Sequence, residues 1–140
     1  MFSRSLSSVA LLAVAALHAN AQAAADCSRN YTVVAGDTCD AICQKENVSS
    51  FQLANVNPVI DSTCQNLFPD EELCLGVVGQ DCTLTHTVVT DETCVSIAAA
   101  TGTTVELILE NNPNVNSVCS NIRSGEVLCV AATVVVSTST

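Results

Sequence analysis

Cysteine is the residue type with the most chemistry to offer in this chain: there are nine, at positions 27, 39, 43, 64, 74, 82, 94, 119 and 129. No histidine-cysteine cluster has the spacing of a metal site, so neither metal ligands nor a cofactor are expected, and the cysteines read as disulfides. A second candidate chemistry is acid-base catalysis by the neighbouring carboxylates of Asp70-Glu71-Glu72 or Asp91-Glu92. A glycoside-cleaving pair flanks its substrate across a cleft at about 5–9 Å and needs a scaffold that raises one pKa. Small units of this kind do not supply one, so no catalytic residue is expected. His86 reads as a strand-surface residue. Asn30-Tyr-Thr32 and Asn47-Val-Ser49 are acceptor sequons for N-glycosylation.

The cysteines reveal their scaffold when residues 27–74 are laid over 82–129. Cys27, Cys39, Cys64 and Cys74 fall on Cys82, Cys94, Cys119 and Cys129 at one offset of 55, without insertion, and 15 of the 48 positions are identical. The chain therefore carries a duplicated module, at 27–75 and 82–130, joined by a linker at 76–81 and followed by a Ser/Thr-rich tail at 131–140. That tail is expected to be mobile or the start of a stalk. Cys43 has no cysteine counterpart, since Ala98 stands at its place; it is expected to be unpaired, either buried or free for an intermolecular bridge.

Each copy has the same local signals. Tyr31 to Val34 is β-branched and aromatic and stops at Ala35-Gly36-Asp37, which predicts a strand and a turn. Thr38 and Thr93 then cap short helices whose inward residues include Ala41, Ile42, Ile97 and Ala98. Ser49 to Gln52 forms a capping box opening a second helix, which carries Leu53 inward and is ended by Pro58; its counterpart starts at Thr104 and is closed by Pro113. Strands at 71–75 and 126–130 complete each unit. The fold class is α+β, tandem small βααβ modules stabilised by disulfides. Neither strand can hide its apolar side alone, so the two must pair with both helices on one face. That brings the loops at 35–38 and 58–61 together as a candidate groove.

The first 21 residues have a basic start at Arg4, an apolar run from Val9 to Leu17 and a small-residue site at Ala19-Asn20-Ala21, the pattern of a cleaved signal peptide. What remains holds Arg29, Lys45 and Arg123 against 14 carboxylates, a formal charge of −11 (3 − 14) with histidine neutral. Such a chain is a poor partner for nucleic acid, and no basic stripe or second long apolar segment would hold it on a membrane. Secretion into an extracellular or cell-wall setting is expected, where disulfides compensate for small cores.

Tyr-Thr-Val-x-x-Gly-Asp-Thr-Cys at 31–39, Ser-x-x-Gln-Leu-x-x-x-Asn-Pro at 49–58 and Glu-x-Leu-Cys at 71–74 together resemble a lysin-motif (LysM) domain, twice in register, and the cysteine decoration resembles the fungal secreted members. The resemblance implies a βααβ fold and non-catalytic binding of chitin or N-acetylglucosamine oligomers, which some fungal relatives sequester from plant receptors. It also implies the contact surface: Gly36, Asp37 and Thr38 with Asn57, Pro58, Val59, Ile60 and Asp61. Asp37, Thr38 and Asn57 can equally serve to cap and turn the chain. With only Tyr31, Phe51 and Phe68 as aromatic residues beyond the leader, such a groove would depend on backbone and small side chains rather than ring stacking. For the disulfides, the resemblance favours first with third and second with fourth in each module; spacing itself leaves all three pairings open.

A second, weaker site would comprise Asp91, Glu92, Thr93, Asn112, Pro113, Asn114 and Val115. There Gly36-Asp37 has become Asp91-Glu92, expected to alter the loop path and to place two charges against a neutral sugar. The first copy is therefore expected to carry most of the affinity, with binding bridged by ligand or between modules as a further possibility. A cell-wall structural or adhesion protein is the alternative reading, and a disulfide-rich enzyme inhibitor the next.

Overall fold

The computed structural model describes residues 26–136; the leader expected at 1–21 and the last four residues of the tail lie outside them. The first module runs β1 (Cys27–Thr32), α1 (Cys39–Glu46), α2 (Ser50–Val56) and β2 (Glu72–Val77). The second runs β3 (Thr85–Thr87), α3 (Cys94–Thr101), α4 (Val105–Asn111) and β4 (Val127–Cys129). Each is a βααβ unit whose two strands form one antiparallel pair. No helix among the described residues is long and apolar enough to cross a membrane.

Capping residues start the helices where the sequence places them. Thr38, Ser49, Thr93 and Thr104 each accept a hydrogen bond from the backbone N–H three residues on, at 3.1–3.2 Å. The full reciprocal box, however, is at Thr93 and Ser96 rather than at Ser49 and Gln52. Gln52 is buried, and its amide is drawn away to satisfy Leu75 O and Asp81 and to accept from Cys82 N. Ala41 is exposed, with Ile42 and Cys43 forming the inward face of α1. The strand expected over Tyr31 to Val34 begins earlier and ends at Thr32, because the turn built by Asp37 already engages Val34 N.

Val33, Ile42, Val48, Leu53, Leu73 and Leu75 form the first core, and Val88, Ile97, Ile108, Val115 and Leu128 the second. The disulfides pair first with fourth and second with third, not as the resemblance favoured. Cys27–Cys74 and Cys82–Cys129 tie the strands together, with Cα atoms 5.8 and 6.0 Å apart. Antiparallel register is the reason: Asn30 stands opposite Cys74 and Cys27 opposite Val77, so the outer cysteines lie on adjacent strands. Cys39–Cys64 and Cys94–Cys119 pin the start of the first helix of each module to the loop after the second helix. Cys43 is unbridged and fully buried, and burial first, then the nearby Asp40 charge, pushes its thiol up to about 12. It is not available for a bridge between folded chains.

The linker is clasped to the first module, and the two modules to each other. Asp81 accepts from Arg29 at 2.7 and 2.8 Å, from Ser28 at 2.6 Å and from Gln52 at 2.8 Å. A Cβ at Gly76 would meet that carboxyl at 2.5 Å, so glycine is required beside it. Ser50 Oγ accepts from Val127 N, Gln44 donates to Gly125 O, and Val127 packs into the first core. The tail, expected to be mobile, is docked as far as Val136, which is buried with Ala131. Its apolar residues and backbone N–H groups find partners on the second module that composition alone did not announce.

Candidate functional site

The turn after the first strand is built identically in both modules from different residues. Asp37 Oδ2 accepts from Tyr31 Oη at 2.8 Å and from Val34 N at 2.9 Å. Glu92 Oε2 lies 2.8 Å from His86 Nε2 and accepts from Val89 N at 2.8 Å. The Val34 and Val89 N–H groups first, then Tyr31 and His86, hold the two carboxyls below their ordinary range. Gly36 has φ 90° and Asp91, at the same register position, φ 68°. The loop path survives the loss of glycine, because an aspartate tolerates the left-handed region at modest cost.

The two asparagines expected at the contact surface, Asn57 and Asn112, are buried. Asn57 donates to Leu53 O and Cys74 O and accepts from Cys74 N; Asn112 donates to Ile108 O and Cys129 O and accepts from Cys129 N. Each stitches a helix end to the last strand and offers its amide to no ligand. Asp61 accepts from Thr63 Oγ1, Gln65 N and Thr63 N; the Thr63 hydroxyl and then Gln65 N hold its carboxyl low. Asn116 takes the same place in the second module and accepts from Ser120 N.

A groove of about 830 Å³ opens between the modules. Thr38, Ile60 and Asp61 of the expected first set line it, and so does Asn114 of the second. Gly36 and Asp37 lie outside it, as do Pro58 and the exposed Val59. Asp91, Glu92, Thr93 and Pro113 do not reach it, and Val115 is in the second core. Further walls include Phe51, Leu53 and Ala54 from α2, Asp40 from α1, the loop at 62–65, and Asn121, Arg123 and Glu126 from the second module. Of its charges, Arg123 binds both oxygens of Asp40, while Glu126 accepts from Asn114 Nδ2 and Arg123 N and Asp61 from Thr63 and Gln65, all neutral donors. The groove thus offers hydroxyl and amide groups beside an apolar wall, with its one cation, Arg123, neutralised by Asp40 and its other carboxylates, Asp61 and Glu126, already holding hydrogen bonds. Among the described residues, no three His, Cys, Asp or Glu side chains are gathered as a metal would need.

The model of the LysM domain family matches residues 31–76 and 86–131, two thirds of the chain. The chain belongs to the LysM domain family. It is 30% identical to a secreted LysM effector of Trichophyton rubrum, with 76% of this chain and 52% of the relative covered. It is 35% identical to the secreted LysM effector ldpA of Aspergillus fumigatus, with 75% of this chain and 36% of the relative covered. The chain thus spans about half the length of the first relative and about a third of the second. Among solved structures it is similar to the spore cortex-lytic enzyme SleL of Bacillus megaterium, at 20% identity and TM-score 0.38, covering 72% of this chain and 22% of that one.

Two pairs of LysM residues that matter here escape a motif reading. Asn66 and Asn121 each accept from the backbone N–H of residue 61 or 116 and donate to the carbonyl of residue 59 or 114, fixing the groove loop in both modules. Glu71 and Glu126 each accept from the N–H three residues earlier. Both pairs are identities at the 55-residue offset, so the repeat alignment itself held the signal.

Proposed function

We propose that this chain is a secreted, non-catalytic carbohydrate-binding protein that takes N-acetylglucosamine oligomers of the chitin class in the groove between its LysM modules. The observation that carries this reading is the shared lining: Thr38, Ile60 and Asp61 from one module face Asn114 and Asn121 from the other across a single space. Acetamido and hydroxyl groups match the amides and hydroxyls, and Phe51 and Ile60 suit the methyl group and sugar faces. A neutral ligand fits because Arg123, the one cation of the lining, is already neutralised by Asp40, leaving no positive charge to draw an anion. The second module then acts as the far wall of one site rather than as a separate weaker one. Asn30 and Asn47 are exposed and outside the groove, so N-glycans there are compatible with ligand. The named relatives are secreted effectors, which favours sequestration of such oligomers from host receptors.

Calorimetric titration of the purified secreted protein with N-acetylglucosamine oligomers tests the reading. Micromolar or tighter binding is expected, weakened both by Ile60→Asp in the first module and by Asn121→Ala in the second. Absence of binding refutes the ligand class, and binding that ignores Asn121→Ala refutes the shared groove.

A further inference from the structure

Residues 131–136 do not line the groove, yet two of them, Ala131 and Val136, belong to a buried cluster against which a groove side chain packs. Phe51 is the aromatic ring of the groove wall, and it also packs against the cluster of Cys82, Cys129, Ala131 and Val136, with Val135 beside it. The segment is held there by a dedicated asparagine. Asn111 is fully buried; its Oδ1 accepts from Val135 N at 2.7 Å and Val136 N at 3.0 Å, and its Nδ2 donates to Thr133 O at 2.9 Å. Thr103 Oγ1 donates to Ala131 O at 2.9 Å. The register counterparts in the first module are Val56 and Val48, which can form no such bonds, so this dock exists once in the molecule. A buried amide is tolerated only when its bonds are made, and here the three side-chain bonds of Asn111 all go to the segment.

The neighbours of Phe51 on its own helix point the same way. Ser50 accepts from Val127 N and Gln52 accepts from Cys82 N, so three consecutive residues of α2 seat on the second module. Phe51 is the one held by apolar packing alone, and two of the four buried residues of its cluster, Ala131 and Val136, come from the tail. Without it the ring gains rotamer freedom that a bound ligand must remove again.

We propose that Asn111 and the segment 131–136 are positioning elements of the groove: they hold Phe51 in place, so that loosening the segment weakens a ligand it never touches. This rests on the groove reading above. Val136→Asp would undock the segment while leaving Asn111 and every groove-lining residue unsubstituted, Val136→Ile would keep it docked, and Phe51→Leu would remove the ring. Titrating a short N-acetylglucosamine oligomer into the full secreted chain should show a fall of at least about threefold for Val136→Asp and none for Val136→Ile. In the Phe51→Leu background the Val136→Asp effect should vanish. A smaller fall, or an equal fall in both backgrounds, overturns the proposal. If the parent protein binds no sugar, the groove reading fails, and the brace is judged by the Phe51 ring resonances and amide exchange at Ser50 to Gln52. Those signals should change in Val136→Asp and not in Val136→Ile; unchanged signals in both overturn the brace.

Discussion

Arg123 binds both carboxylate oxygens of Asp40, at 2.6 and 2.8 Å, across 83 residues of chain and from one module to the other. The Arg123 side chain is 59% exposed, so solvent screens the pair and its contribution to stability is at most about 1 kcal/mol. Its position matters more than its energy, because both residues line the groove. Arg123→Ala is therefore expected to leave thermal unfolding nearly unchanged while lowering oligomer affinity. A large melting shift without an affinity change would show the pair to be structural only.

The half-buried clasp of Asp81 with Arg29 behaves differently with pH. Burial alone would raise the Asp81 carboxyl, but hydrogen bonds from Arg29, Ser28 and Gln52 outweigh it and hold its pKa at about 2. A carboxyl lowered from its ordinary value of 3.8 contributes stability that is present above about pH 4 and is lost as pH falls through about 2. That contribution is up to about 2 kcal/mol. Asp81→Asn should be less stable than the parent at neutral pH, with the difference shrinking between pH 4 and 2. A difference constant across that range would show that Asp81 is not held as its contacts indicate.

Peptide mapping should recover Cys27–Cys74, Cys39–Cys64, Cys82–Cys129 and Cys94–Cys119, and the Cys43 thiol should resist alkylation until denaturant is added. Replacing both Cys27 and Cys74 with serine should cost roughly 2–4 kcal/mol, since the bridge closes a long loop on a small core. Rapid labelling of Cys43 in the native protein would contradict its burial.

Gly36→Asp creates in the first module what Asp91 already is in the second. A Cβ at Gly36 would meet nothing within 4 Å, and the groove does not reach it. The substitution should cost about 1 kcal/mol of backbone strain and leave oligomer affinity within twofold. A sharp loss of affinity would return the turn to the binding surface.

Sequence by itself determined the duplication, the βααβ order, the four helix caps and the family, because each depends on local signals: cysteine register, a hydroxyl before an apolar run, a proline after it. The constancy of the first turn was half legible, since Tyr31 with Asp37 and His86 with Glu92 change together at one offset. What the motif could not convey was the difference between a residue that shapes a loop and one that faces the groove. Asn57 and Asp37 belong to the first kind, and only the hydrogen bonds they make in three dimensions reveal it. Disulfide pairing likewise waited on strand register, which brings positions 47 residues apart to adjacent strands. The groove, the clasps at Asp81 and Arg123 and the docked tail were decided by tertiary structure alone. They arise where two modules meet, and no spacing within either module encodes which of its faces the other will cover.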